Sequence, residues 1–322
     1  MANVHDQRRR CRTAPAAGLL LNQRVTILAG APAAGDRAQA EWSHHCSACG
    51  KCCNSPPELS VPELLHHQHT FFGCLTIQRI ARPLQTVGAL AAEFEQLAAR
   101  LWHRLPEADA HTDDVLLATR GFDLGLSARC PALDDEQRCS LHASRKPAIC
   151  KVVPLDALSP DGAQHLVLAE RAADAHYFGS DCIVPGERLG FGLVTRRLDV
   201  VDGGARAALA ERRRDLASER VAWGDRVFDL LRADWFSSAS ALERLPSAGF
   251  MTLSIAPVLI ALLEQSKLSR VRCVAYLDAQ AIVAERLLQS AAESGQFEPD
   301  SVRQLRAFAR TNAQLRLQLK DD

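Results

Sequence analysis

Eleven cysteines fall into clusters rather than an even scatter. Cys46, Cys49, Cys52 and Cys53 share one short run, Cys46-Ser-Ala-Cys49-Gly-Lys-Cys52-Cys53. Cys130, Cys139 and Cys150 form a second segment, and Cys182 follows close to a Pro-Gly pair. Two cysteines separated by two residues let both sulfurs approach one centre at about 2.3 Å, with a tight turn between them. Gly50 suits that turn because a residue without Cβ tolerates positive φ. Soft thiolates select zinc, copper(I) or iron–sulfur clusters and disfavour magnesium or calcium. These eight cysteines are the candidate ligands, and the chemistry they point to is a zinc ion or an iron–sulfur cluster.

Lys51, Arg129, Arg138, Arg145, Lys146 and Lys151 lie beside the proposed ligands in sequence. Nearby cations favour the thiolate form, although each of these also reads as an ordinary surface charge. The ligands divide in more than one way. C-x2-C-x2-C followed by a distant Cys-Pro resembles the ferredoxin arrangement for a four-iron cluster, and one partition is Cys46, Cys49 and Cys52 with Cys130-Pro131. That partition leaves Cys53, Cys139, Cys150 and Cys182 for a second site. Adjacent Cys52 and Cys53 point apart in most backbones, which favours two centres or one non-ligand. Cys11, Cys74 and Cys273 stand alone and read as packing residues. His44, His45, His66, His67 and His69 read as surface or capping residues before ligands.

The elements that must position these residues are mostly helical. Residues 1–40 are rich in Ala, Gly, Arg and Pro and read as a poorly ordered tail, with a short strand at Val25–Leu28. Ser55-Pro56-Pro57 places the first cysteine run on a loop. Ser60-Val61-Pro62-Glu63 is a helix start with a cap, an early proline and an acid. Ile77, Ile80, Leu84, Val87, Leu90, Phe94, Leu97 and Leu101 recur at helical spacing and predict one helix, kinked or started at Pro83. Ser159-Pro160-Asp161-Gly162 between apolar runs predicts a small hairpin, and Phe191–Val201 a further strand. From about Ala205 the chain reads as helical, with helices near 250–266 and 270–292 and one capped by Asp300-Ser301. The expected fold is α+β and mostly helical: a small irregular cysteine-knuckle core, a few short strands and a helical C-terminal region. The expected organisation is a tail over 1–40, a metal-binding domain over 41–200 and a helical region over 201–322.

The combined pattern resembles the YkgJ-type cysteine-cluster family. The residues that carry the resemblance are Cys46-x2-Cys49-Gly50-Lys51-Cys52-Cys53, Cys130-Pro131-x-Leu133, Cys139-x2-His142, Arg145-x-Pro147-x2-Cys150 and Pro154. The match covers roughly residues 43–185. It departs at Lys146, between Arg145 and Pro147, and at Cys182, which Ile183-Val184 separates from Pro185-Gly186. The resemblance implies a zinc- or iron-chelating domain. Some members of the family are labelled iron–sulfur oxidoreductases, and others flagellin lysine N-methylases.

Composition bounds the rest. A 322-residue chain with 47% hydrophobic residues buries a sizeable core without disulfide staples. Zero formal net charge argues against a general nucleic-acid or anionic-membrane binder. The apolar run Met251–Leu263 is too short to span a bilayer. The expected location is therefore the cytoplasm, where thiols stay reduced and clustered cysteines read as metal ligands. Abundant alanine and arginine suggest a GC-rich bacterial genome. No G-x-G-x-x-G dinucleotide fingerprint and no methyl-donor motif stands out. The functions weighed are a metal-binding protein, an iron–sulfur oxidoreductase, an N-methylase-like enzyme, and a zinc-stabilised scaffold whose C-terminal helices meet a protein partner.

Overall fold

The computed structural model describes residues 41–48, 50, 52–53, 55–81, 89–105, 113–125, 129–143, 145–173, 182–236, 245–246, 249–294 and 297–321. The tail and the Val25–Leu28 strand lie outside these. The described chain runs β1 (Trp42–His44), α1 (Val61–His66), β2 (Gly73–Ala81), α2 (Ala89–Leu101), β3 (His103–Arg104), β4 (Asp113–Gly121), α3 (Ala148–Val152), α4 (Gln164–Ala173), β5 (Ile183–Pro185), β6 (Gly192–Arg196) and β7 (Asp199–Val200). It continues with α5 (Gly203–Glu219), α6 (Asp225–Leu231), β8 (Met251–Ser254), α7 (Ala256–Glu264), α8 (Arg270–Ser294) and α9 (Pro299–Asp321). Wider π-type turns follow α5 and α6 at Arg220–Gly224 and Arg232–Phe236. The fold is α+β and mostly helical, as the sequence leads one to expect. Among the described residues no helix is long and apolar enough to cross a membrane.

Two antiparallel four-stranded sheets organise it, in the orders β5-β1-β6-β7 and β3-β4-β2-β8. In β4 the period-2 alternation of strand side chains sorts Val115 and Leu117 to one core and Leu116 and Ala118 to another. Both faces of that sheet are buried, so its central strands carry apolar residues on both faces, with Thr76, Gln78 and Thr119 buried among them. This corrects the single helix expected from Ile77 to Leu101. Ile77 and Ile80 lie in β2, and only the second half of the pattern, with Phe94, Leu97 and Leu101, is helix α2. Leu84 and Val87 fall outside the described residues.

The hairpin expected at Ser159–Gly162 is also corrected. Asp161–Ala163 is a 3-10 turn that leads straight into α4. The buried Gln164 amide donates to the carbonyls of Asp156 at 2.7 Å and Ser159 at 2.9 Å. Arg213 donates to those of Ala157 at 3.0 Å and Ser159 at 2.7 Å. The loop carbonyls are thus satisfied by side chains instead of a strand partner. The strand expected over Phe191–Val201 is present as the β6–β7 hairpin, and the helices expected near 270–292 and beyond residue 300 are α8 and α9. The helix expected near 250–266 is corrected: Met251–Ser254 is strand β8, paired with β2, and only Ala256–Glu264 is helix α7.

Residues beyond 200 are hydrogen-bonded into the earlier part of the chain. Strand β8 pairs with β2. Gln280 on α8 is fully buried; its carbonyl accepts from Gly73 N–H at 2.6 Å, and its amide donates to Gln68 and Phe71 carbonyls at 2.8 and 3.0 Å. Glu219, at the end of α5, accepts from the Val61 N–H at the start of α1 at 2.5 Å. Burial pushes the Glu219 carboxyl up from 4.5 to about 7, against the pull of that hydrogen bond and of Arg212.

Replacing Gln280 by Leu strands one buried N–H and two carbonyls. The expected loss is roughly 2–4 kcal/mol in chemical denaturation, without a change of fold. For Glu219 the folded state holds its proton more tightly than the unfolded chain. Its contribution is therefore complete below about pH 4.5 and lost as pH rises towards 7. The difference in stability between the wild type and Glu219→Gln should change by about 3 kcal/mol across that interval. A pH-independent difference overturns the assignment.

Candidate metal centre

Three segments distant in sequence bring the thiols together. The first cysteine loop turns through two left-handed residues, Ala48 (φ 55) and Gly50 (φ 70), and closes with Cys53 N–H donating to the Gly50 carbonyl at 2.8 Å. The second segment is a small hairpin in which Leu133 faces Cys139. Its tip is held by Gln137 N–H to the Asp134 carbonyl at 3.0 Å and by Arg138 N–H to the Asp134 carboxylate at 2.7 Å. The two segments are stitched by Cys130 N–H to the Cys53 carbonyl at 2.9 Å. They also touch at Gly50, where an added Cβ would overlap the Gln137 carbonyl oxygen. The third segment is α3, which carries Cys150 in its first turn.

The sulfurs sit within electrostatic reach of one another. Cys52 bears on Cys53, Cys130 and Cys150, and Cys139 bears on Cys130 and Cys150. The Cys52 and Cys53 thiols are hydrogen-bonded to each other. Although adjacent, they pack against different cores, Cys52 with Cys182 on one side and Cys53 with Leu133 on the other. Burial pushes the Cys130 thiol up to about 11 and Cys150 up to about 12, with neighbouring sulfurs adding to both. The Cys53 hydrogen bond pulls Cys52 down to about 6, with Lys146 and Arg171 assisting, while the same bond holds Cys53 protonated.

The remaining candidates are placed as follows. Cys46 is exposed. Cys182 lies alongside the first loop, its carbonyl accepting from His45 N–H at 2.9 Å. Cys49 lies outside the described residues, as do Lys51 and Cys11. Among the described residues no group of three Cys, His, Asp or Glu side chains already stands at metal-ligating geometry. Cys74 and Cys273 are fully buried and raised by burial to about 12 and 11, as packing thiols should be.

Of the cations flanking the cysteines in sequence, Lys146 bears on Cys52 and Cys150. Arg138 pairs with Asp134 and Glu136, Lys151 with Glu211, and Arg145 meets His66. Arg171, on α4, bears on Cys52 and donates to the Pro154 and Leu155 carbonyls. Nothing in the sequence pattern singled it out, because it reaches the site only through the packing of α4. His44 is driven down to about 4, first by burial and then by Lys146, so it is neutral at physiological pH.

Residues 45–172 match the family model CxxCxxCC, described as "Putative zinc- or iron-chelating domain". The matched stretch contains the first loop, the hairpin and α3, and ends before Cys182. No curated protein and no solved structure matches the chain.

Gly50 and Gly186 separate the cost of backbone strain from the cost of contact. Both have positive φ, 70° and 72°, but a Cβ at Gly186 meets nothing within 4 Å. Gly186→Ala should lose about 1 kcal/mol from strain alone. Gly50→Ala should lose a further ~1–3 kcal/mol because the hairpin must move. Equal losses in denaturant titrations would show that the loop and hairpin are not in contact.

Proposed function

We propose that this chain holds a thiophilic metal, as a zinc ion or an iron–sulfur cluster, where the first cysteine loop, the hairpin and α3 meet. The ligands are drawn from Cys46, Cys49, Cys52, Cys53, Cys130, Cys139, Cys150 and Cys182. The observation that carries the reading is the mutual electrostatic contact of thiols from three distant segments.

The donor set fits such a centre. Cys130 is buried and Cys52, Cys53, Cys139 and Cys150 are partly buried, and burial makes bare Cys130 and Cys150 thiolates costly. A bound cation removes that cost and displaces the thiol protons. Zinc would supply a structural crosslink, and an iron–sulfur cluster would supply electron transfer. This chain's own residues set the conditions: Cys53 orients Cys52, Lys146 and Arg171 offset negative charge, and Gly50 admits the hairpin to the loop.

Anaerobic purification followed by metal and acid-labile sulfide analysis tests the proposal. About one zinc per chain in a colourless protein, or iron with matching sulfide in a brown one, is the expected result. Cys52→Ser, Cys130→Ser and Cys150→Ser should each lower the metal content. Loading the metal-free protein should release protons, and the metal should leave as pH falls, because protons compete for the same sulfurs. A chain that stays metal-free after anaerobic exposure to zinc, and to ferrous iron with sulfide, overturns the reading.

A further inference from the structure

Helix α3 is short and begins at Pro147, whose side chain makes no capping hydrogen bond. Its first N–H, on the buried Ala148, is one of the donors that a helix start leaves without an internal partner. A residue from another part of the chain supplies the acceptor. Glu63 Oε1 accepts from Ala148 N–H at 2.7 Å. The other oxygen of the same carboxylate, Oε2, accepts from Ser60 N–H at 2.8 Å and lies 3.0 Å from Ser60 Oγ, completing the capping box of α1. One rigid carboxylate therefore caps two helices. Its two oxygens have a fixed separation, so the start of α3 is held at a fixed offset from the start of α1.

We infer that Glu63 is a positioning residue for the thiol site: by capping α3 from α1, it fixes Cys150 against the Cys52–Cys53 loop and the Cys130 hairpin. The inference rests on the proposed metal-binding role. The route is short. Cys150 lies two residues beyond Ala148. On the other side, α1 follows Leu59, whose N–H donates to the Thr119 carbonyl at 2.9 Å, and Leu59 follows the first cysteine loop. Contact between Arg145 and His66 at 2.7 Å closes a second tie between the approach to α3 and the end of α1. Helix-start dipoles from both helices favour the carboxylate at their shared point.

The test compares Glu63→Ala, which removes both caps, with Ser60→Ala, which removes the α1 hydroxyl cap and spares the bond to Ala148. Glu63→Gln keeps one acceptor oxygen and serves as the conservative variant. Two rates are read: zinc transfer to a chromophoric chelator, and alkylation of Cys150 by iodoacetamide in the metal-free protein, located by peptide mass spectrometry. Glu63→Ala should release zinc about tenfold faster or more, the usual scale for losing an outer-shell support. It should also alkylate Cys150 several-fold faster, and Glu63→Gln should fall between it and wild type. Ser60→Ala should stay near wild type in both rates, while losing the ~1 kcal/mol of a helix cap. Equal rates for Glu63→Ala and Ser60→Ala, compared at denaturant concentrations giving equal stability, overturn the inference. If the wild type takes up neither zinc nor ferrous iron with sulfide, the metal reading fails, and the alkylation rates still decide whether Glu63 positions Cys150.

Discussion

The hydrogen bond from Cys130 N–H to the Cys53 carbonyl joins the two thiol-bearing stretches by main chain alone. It is made by neither side chain, and the Gly50–Gln137 approach leaves no room for a side chain between the two segments. A two-faced sheet and a large apolar core set the positions of the loops that carry the cysteines.

Much of that framework comes from residues after the stretch that matches the cysteine-cluster model. Glu219 caps α1 from α5, Arg212 reaches Glu58 at 2.7 Å, and Gln280 holds the entry to β2 from α8. Tyr276 and Cys273 of α8 share a core with Leu64 of α1 and with Cys130. Helix α1 is thus fixed at its start by one later helix and packed in a core shared with another. Any shift of these helices would pass to α1, and through Glu63 to the start of α3.

The cysteines and the α1 start were readable because each is a local pattern. Ligand spacing and Ser60-x-x-Glu63 lie within a few residues and need no knowledge of the rest of the chain. β2 was not readable as a strand. Its alternation is short, Thr76 and Gln78 against Leu75 and Ile77, and breaks at Arg79-Ile80, while Ile77 and Ile80 are as compatible with a helix as with a strand. Pro160-Asp161-Gly162 was misleading for a different reason. A proline followed by an acid suits a helix start as well as a turn, and the deciding partners, Gln164 and Arg213, act through tertiary contacts. Arg171 and the second role of Glu63 were invisible on the same ground. Their partners lie many residues away, at Cys52 and Ala148.

Charge counting narrows how the sulfurs can be shared. Four thiolates around one divalent ion carry a net charge of about −2. Among the described residues Lys146 and Arg171 bear on Cys52 and offset part of that charge. Cys53 needs no such compensation while its thiol donates to Cys52, since a hydrogen-bond donor keeps its proton. For one mononuclear centre, the geometry therefore casts Cys53 as the partner that orients Cys52. For Cys53 to ligate as well, further positive charge must enter with it, as a second metal ion would bring.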